Sequence, residues 1–127
     1  MKQLRVLLVD DNASVRRLLS EVLEHRGYLV TALAGCDDAH AWLRDNQCDI
    51  LLTDLGVGSM PDAEMIPRAR SLAKEAKIIV ISGCGVHRKD EITKAWGADG
   101  FLAKPFLSSE LFLLIESLTI QHQTSSG

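Results

Sequence analysis

The sequence has few cysteines, and they lack the spacing that cysteine-based sites need. Its 127 residues include three, Cys36, Cys48 and Cys84, an odd number without metal-ligand spacing. Such cysteine use is typical of reduced thiols in a cytoplasmic protein rather than of a disulfide framework. We therefore predict a cytoplasmic location and unlinked cysteines.

Long apolar runs and an excess of positive charge are also absent. The first apolar run, residues 6–9, is too short for a signal-peptide core, and no stretch approaches the length of a membrane span. The net charge of −3 gives no electrostatic basis for direct nucleic-acid binding. The glycines at Gly83 and Gly85 lack the third glycine of a nucleotide-binding fingerprint. Membranes and nucleic acids are thus not among the predicted partners.

The length and composition are those of an ordinary globular domain. Hydrophobic residues make up 46% and charged residues 24% of the chain, and the length suits one domain. We place that domain at residues 1–120. The polar residues 121–127 are expected to be a disordered tail, which could be the start of a linker.

Five apolar runs alternate with five stretches of helical periodicity. The predicted strands are residues 6–9, 28–33, 50–53, 77–81 and 100–103. Of the predicted helices, the first follows Asn12 or Ser14 and the second begins at residue 37. The third lies within 62–72, the fourth covers 87–96 and the fifth covers 108–120. Because each crossover has helical length, we predict an α/β fold with a parallel sheet and right-handed connections.

Two parts of this assignment are less regular. Gly56 and Gly58 fall in the loop at 55–61, which we expect to be mobile. Pro67 interrupts the third helical pattern, so that this helix either starts near Pro67 or is kinked there.

Polar residues follow four of the strands at the point where each strand ends. Asp10 and Asp11 follow the first strand, Asp54 the third, Ser82 the fourth and Lys104 the fifth. The carboxyl ends of parallel strands share one edge of the sheet, where ligands of open α/β folds bind. We therefore expect these side chains to meet.

The chemistry of such a cluster points to phosphoryl transfer. Neighbouring carboxylates repel one another unless a cation joins them, and their hard oxygens suit Mg²⁺. A carboxylate beside Mg²⁺ can attack phosphorus and give an acyl phosphate. Lys104 supplies an ammonium and Ser82 a hydroxyl to neutralise the phosphoryl oxygens. The cluster predicts a phosphoryl-accepting site.

At this point the chain resembles a known family, the receiver domains of two-component response regulators. The resemblance covers residue 4 to about residue 120. It implies a flavodoxin-like, doubly wound sheet of strand order 2-1-3-4-5 with five helices. The motifs that carry it are Val9-Asp10-Asp11, Thr53-Asp54, Ile81-Ser82-Gly83 and Lys104-Pro105-Phe106.

The resemblance implies a role for each acid. Asp54 accepts the phosphoryl group from a histidine kinase or a phosphotransfer protein. Asp11 and Asp54 ligate Mg²⁺ directly, together with the backbone carbonyl of Gly56, and Asp10 acts through water.

It also implies roles for the fourth and fifth strands. Lys104 pairs with the phosphoryl oxygens, and the Lys104–Pro105 bond is cis. The Ser82 hydroxyl moves toward the phosphoryl group and Phe101 shifts inward as a switch. The alternatives from the residues alone are a plain turn for Ser82 and plain core for Phe101.

Two features depart from the family pattern. The glycines at 56 and 58 loosen the loop after Asp54, which implies weaker Mg²⁺ binding or a loop that orders on binding. Cys84, two residues after Ser82, is small and uncharged, which does not favour rapid self-dephosphorylation.

The fifth helix is broader in its apolar face than one contact requires. Its core stripe leaves Phe112, Leu113 and Ile120 on adjacent faces. We predict that the fourth and fifth helices and the fifth strand bind a second copy or a downstream partner, as the family commonly does.

The leading interpretation is a phosphorylation-controlled switch that catalyses only its own phosphorylation and dephosphorylation and is not a conventional enzyme. It would be a stand-alone regulator or part of a larger protein. One alternative is a degenerate receiver that acts as an interaction scaffold. Another is a small aspartyl-phosphate phosphatase, which the adjacent acids Asp10 and Asp11 and the short chain disfavour.

Overall fold

Within the part of the chain that the structure describes, five strands alternate with five helices, as predicted. The computed structural model describes residues 3–83 and 88–126, and for 120–126 the description covers the backbone only. The strands are β1 (Arg5–Val9), β2 (Leu29–Leu33), β3 (Ile50–Asp54), β4 (Lys77–Ser82) and β5 (Gly100–Ala103). The helices are α1 (Ala13–His25), α2 (Cys36–Asp45), α3 (Asp62–Leu72), α4 (Glu91–Ala95) and α5 (Ser108–Ser126).

The strands form one parallel sheet in the order β2-β1-β3-β4-β5. This order confirms the flavodoxin-like fold class. The register pairs Val9 with Thr53 and Asp54 with Ile81, so that the ends of the central strands lie level. The carboxyl ends therefore form one edge, and the reversal of strand order between β1 and β3 places the ligand-binding crevice there.

Alternate residues of the strands enter two separate cores, one on each face of the sheet. Both faces are covered by helices, so the middle parts of the central strands are aliphatic on both faces. Removal of each fully buried aliphatic side chain from water stabilises the folded state by about 1.5–3 kcal/mol. Leu7, Leu51 and Ile78 pack with α2, α3 and α4, whereas Leu8, Leu52 and Ile79 pack with α1 and α5.

The ends of α1 follow the sequence signals. The Asn12 side chain accepts a hydrogen bond from the backbone N–H of Val15 at 3.0 Å, which caps the helix. Gly27 ends it with a φ of 103°, a left-handed conformation that favours glycine.

The third helix begins at Asp62 and continues through Pro67. A start near Pro67, one of the two possibilities from the sequence, is therefore wrong. Pro67 costs the helix one backbone hydrogen bond. The burial of Met65, Ile66 and Ala69 in the core offsets that loss.

The fourth helix has an unexpected winding. In Glu91–Ala95 the backbone forms π-helical bonds, and the Trp96 N–H donates to the Glu91 carbonyl five residues earlier at 3.1 Å. Gly97 ends the segment with a φ of 89°. The predicted start at His87, like Cys84, lies outside the described residues.

The fifth helix is longer than predicted. Its backbone continues to Ser126, so the end that we place near Ile120 is wrong, while the disordered tail at 121–127 stays a prediction. No glycine or proline occurs between residues 108 and 126 to stop it. The domain boundary at residue 120 stays a prediction. Within the part of the chain that the structure describes, no helix has the length and apolarity needed to cross a bilayer.

Two guanidinium–carboxylate pairs fasten the amino edge of the sheet. Arg5 pairs with Asp49, whose Oδ2 also accepts the Arg5 backbone N–H at 2.8 Å, which ties β1 to the start of β3. Arg70 donates to the carbonyl of Ala76 at 2.7 Å and pairs with Asp99. Asp99 in turn accepts the N–H of Ile78 at 2.8 Å. One arginine thus joins the end of α3 to the starts of β4 and β5.

Arg70→Met is expected to lower the free energy of unfolding by about 2 kcal/mol, because Asp99 loses its ion-pair partner and the Ala76 carbonyl loses its donor. Arg17→Met is the matched control: its pair with Glu21 is exposed, and its loss should cost less than about 0.5 kcal/mol. Urea denaturation measures both. Equal midpoints for the two variants would contradict the structural role of Arg70.

We expect His40 to make stability depend on pH. It is 6% exposed, its Nε2 has no hydrogen-bond partner, and burial, together with Arg68, lowers its pKa below 6.5. The unfolded chain therefore takes up this proton first, and stability present above pH 6.5 is lost as the pH falls toward the lowered folded pKa. We expect His40→Asn to weaken this dependence. Urea denaturation at several pH values between 5 and 8 measures it, and parallel profiles for variant and wild type would refute it.

Candidate functional site

The carboxyl edge of the sheet brings together three of the predicted site side chains. Asp10 follows β1, Asp54 ends β3 and Lys104 follows β5. The Lys104 Nζ lies 2.7 Å from Asp54 Oδ2 and 3.6 Å from Asp10 Oδ2. One ammonium is therefore shared by two carboxylates, as the sequence pattern predicts.

Lys104 is positioned by the backbone around it. Its N–H donates to the Ser82 carbonyl at 2.9 Å, and its peptide bond to Pro105 is cis, which confirms that prediction. Burial alone lowers the pKa of Lys104, but the hydrogen bond and charge of Asp54, together with Asp10, outweigh it and raise the pKa above 10.5. The side chain is a fixed cation at neutral pH.

Asp10 is fully buried and only partly satisfied. Its Oδ1 accepts the Asn12 N–H at 2.9 Å, while its Oδ2 has no hydrogen-bond partner. The 3.6 Å to Lys104 is an ion-pair distance and too long for a hydrogen bond. A buried carboxylate oxygen without a donor costs free energy, and such an atom suits a water molecule or a cation.

Asp54, unlike the buried Asp10, lies within reach of reagents. Its side chain is 19% exposed, its Oδ1 accepts the Leu55 N–H at 2.7 Å, and its Oδ2 accepts from Lys104. Both oxygens are thus oriented at the mouth of the crevice. A partly exposed, oriented carboxylate beside a cation is suited to act as a nucleophile.

The predicted metal ligands are not already gathered into one group. Among the side chains that the structure describes, those of residues 3–83 and 88–119, no three His, Cys, Asp or Glu residues are arranged to hold a metal ion. Asp11 is exposed to solvent, and the Lys104 ammonium lies against both Asp10 and Asp54. The direct ligation that the resemblance assigns to Asp11 and Asp54 therefore stays a prediction.

The loop after Asp54 is tied to its neighbours by hydrogen bonds, and the mobility predicted from its glycines stays a prediction. The Gly56 N–H donates to Asp62 Oδ1 at 2.8 Å, and the Val57 carbonyl accepts the Cys36 N–H at 2.8 Å. Val57 is 3% exposed. Gly56 has a φ of 68°, which explains the glycine by a required left-handed conformation rather than by flexibility.

Ser82 and Phe101 both lie beneath this edge. Ser82 is 1% exposed and is the last residue of β4. Phe101 is 9% exposed and belongs to the core that faces α2, α3 and α4. Its ring is therefore already inside the protein. The switch roles of both residues stay predictions.

Two residues that contact the site were not predicted from the sequence. The Arg16 Nη1 donates to the Asp10 carbonyl at 2.7 Å, and Asp62 holds Gly56. Arg16 lies four residues after the capping Asn12, and Asp62 opens α3. Basic residues in the first turns of helices and acids after glycine loops are common in sequences. Their presence alone therefore does not predict that Arg16 and Asp62 contact the site.

The outer face of α5 is less apolar than the sequence suggests. Phe112 is buried, with the Arg26 guanidinium 4.5 Å from its ring centre and Tyr28 beside it. It is therefore not a free apolar residue. Leu113 is 66% exposed, and the Ile120 side chain lies outside the described residues. The partner surface on α4, β5 and α5 stays a prediction, and the exposed Leu113 is the residue that supports it.

A cavity of about 670 Å³ lies at the opposite, amino edge of the sheet. Arg5 and Asp49 line it and pair with each other. The reactive carboxylate and its cation lie at the carboxyl edge instead. We therefore assign the candidate site to the carboxyl edge.

Comparison with known proteins identifies one family. Residues 6–116 match the family described as response regulator receiver domain. The regulatory protein VirG of Agrobacterium fabrum is 32% identical over 111 residues, which cover 87% of this chain. The chain spans only 44% of the length of VirG.

Solved structures agree with this match. The chemotaxis response regulator CheY4 of Vibrio cholerae superimposes with a TM-score of 0.82 at 29% identity, over 91% of this chain and 98% of that one. A response regulator protein of Burkholderia pseudomallei has the same fold, with a TM-score of 0.82 at 24% identity, over 99% of this chain and 74% of that one.

Proposed function

The chain belongs to the response regulator receiver domain family, as its motifs predict, and from this we propose that it is a phosphorylation-dependent switch with Asp54 as the phosphoryl acceptor. The observation that carries the proposal is the contact of Asp54 Oδ2 with Lys104 Nζ at 2.7 Å, at the mouth of the crevice. A nucleophile and a phosphate-binding cation are thus already adjacent.

The donor is a phosphohistidine of a histidine kinase or of a phosphotransfer protein. An Asp54 carboxylate oxygen forms a bond to phosphorus while the bond from phosphorus to the donor nitrogen breaks, and the nitrogen keeps the electron pair. Lys104 neutralises charge on the phosphoryl oxygens. The Leu55 N–H, at 2.7 Å from Asp54 Oδ1, keeps the carboxylate in its orientation.

Mg²⁺ is the proposed cofactor, and the residues present fit it. The buried Asp10 Oδ2 lacks a donor, and Asp11 and Asp54 add hard carboxylate oxygens. The Gly56 carbonyl is the fourth proposed ligand, and Asp10 acts through water. When bound, Mg²⁺ supplies charge that offsets the phosphoryl oxygens. A Burkholderia protein of the same fold has been crystallised with a phosphorylated aspartic acid and a calcium ion.

Phosphorylation would be read through the fourth and fifth strands. In this proposal the Ser82 hydroxyl turns toward the phosphoryl group, and Phe101 moves with it. The α4–β5–α5 surface, which includes the exposed Leu113, then binds a second copy or a downstream partner in the cytoplasm. The chain catalyses only its own phosphorylation and dephosphorylation.

Intact-mass spectrometry with acetyl phosphate and MgCl₂ tests the proposal. We expect a single phosphoryl adduct that EDTA prevents. An absent adduct at any MgCl₂ concentration would refute the switch. It would favour the scaffold alternative, for which the exposed position of Asp11 is the supporting observation.

A further inference from the structure

The start of α2 packs against the loop that follows the phosphoryl acceptor. Cys36 is the first residue of α2 and 1% exposed. Its N–H, which the helix itself cannot use, donates to the Val57 carbonyl at 2.8 Å. Its Sγ lies directly against Gly58: a Cβ added to Gly58 would overlap this sulfur.

Gly58 is required for this contact and for no other evident reason. Its φ lies outside the left-handed region, so its backbone would accept any residue. Apart from Cys36 Sγ, the nearest atoms to an added Cβ are the Cys36 nitrogen at 3.4 Å and Cys36 Cβ at 3.5 Å, both ordinary contacts. With the Cys36 side chain in its observed conformation, the sulfur alone therefore blocks a side chain at position 58.

Gly35 makes a second close approach at the same junction. A Cβ there would lie 2.7 Å from the Val57 carbonyl oxygen. Its φ of −152° is extended and available to any residue, so again the contact explains the glycine. Gly35, Cys36 and Gly58 thus let the loop approach α2 closely.

These contacts hold the peptides on either side of the Gly56 carbonyl. On one side Asp62 binds the Gly56 N–H at 2.8 Å. On the other, Cys36 binds the Val57 carbonyl and packs against Gly58. We propose that Cys36 and Gly58 form a steric lock that positions the Gly56 carbonyl, and that Cys36 is thereby a positioning residue for the phosphoacceptor site. This inference rests on the proposed function.

We expect one substitution to raise the MgCl₂ concentration needed for phosphorylation and a second substitution to bring it back down. Gly58→Ala forces the loop away from Cys36, and overpacking of this size should raise the MgCl₂ concentration for half-maximal phosphorylation by about tenfold. The swap Cys36→Ala with Gly58→Ala places the new methyl where the sulfur was. We expect it to return that concentration to within about threefold of wild type. Cys36→Ala alone leaves a gap and should raise it by about threefold.

Gly35→Ala is the matched control, because its clash is with a carbonyl oxygen and not with the sulfur. Cys36→Ala should not rescue it. The rate of phosphorylation by acetyl phosphate is measured against MgCl₂ for all variants, and the free energy of unfolding is measured beside it. If the contact between Cys36 and Gly58 only stabilised the fold, the substitutions would change the free energy of unfolding and leave the MgCl₂ dependence of phosphorylation unchanged.

The outcomes separate this inference from the proposed function. A Gly58→Ala chain with wild-type Mg²⁺ dependence, or a swap no better than Gly58→Ala, would overturn the lock. If Gly58→Ala does not fold, the swap still decides, since it folds only if the sulfur was the obstacle. If wild type gives no adduct, the proposed function fails. In that case the lock is tested by the free energies of unfolding of Cys36→Ala, Gly58→Ala and the double variant. If the effects of the two single substitutions simply add, the lock is refuted.

Discussion

Asp54→Asn is expected to abolish the phosphoryl adduct entirely. The amide is neutral and its nitrogen is a poor nucleophile, so no acyl phosphate forms at this position. The two side chains have nearly the same shape, and the Asn oxygen can still accept the Leu55 N–H now bound by Asp54 Oδ1. The loss should therefore reflect the missing nucleophile and not a misfolded chain. Intact-mass spectrometry with acetyl phosphate and MgCl₂ gives the measurement.

Asp38→Asn is the control for that experiment. It makes the same chemical change at an exposed residue of α2. It should be phosphorylated like wild type. An adduct of equal amount on Asp54→Asn would move the acceptor to another residue, which peptide mapping would then locate.

Lys104→Met is expected to cause the largest loss of stability. Methionine keeps the length of the side chain but removes the ammonium that Asp10 and Asp54 share at 3.6 and 2.7 Å. Removing one partner of a buried pair typically costs about 3–5 kcal/mol because a buried charge is left uncompensated. We expect a loss near about 3 kcal/mol in EDTA, since Lys104 is 30% exposed and water can partly replace it.

Excess MgCl₂ should recover part of this loss if a cation can take the place of the ammonium. Lys94→Met, at an exposed position on α4, is the control and should unfold like wild type. Urea denaturation with and without MgCl₂ measures both variants. A Lys104→Met chain within about 1 kcal/mol of wild type in EDTA would show that the two carboxylates do not need the lysine.

Most of the fold can be predicted from the sequence because its signals are local. The buried strands are short apolar runs, and Asn12 and Gly27 mark the ends of α1 by their own chemistry. The order of the acids and the lysine along the chain then predicts the site, because parallel strands put their carboxyl ends on one edge. Asp54 and Lys104 are 50 residues apart in sequence and are joined by topology.

The rest depends on contacts that no local pattern contains. In the sequence, Gly58 predicts a loose loop. In the structure, Cys36 from a different part of the chain fills the space beside Gly58. The winding of Glu91–Ala95 and the continuation of α3 through Pro67 are likewise decided by packing. For Phe112, the covering guanidinium of Arg26 comes from the turn after α1.

The pairs Arg5–Asp49 and Arg70–Asp99 have a consequence for how the domain can change shape. They fasten the sheet and α3 at the amino edge, where each carboxylate has a guanidinium of its own. At the carboxyl edge, two carboxylates compete for one ammonium. We therefore expect a displacement that begins at Asp54 to be confined to the carboxyl edge, because the ion pairs of the amino edge hold the other ends of the strands in place.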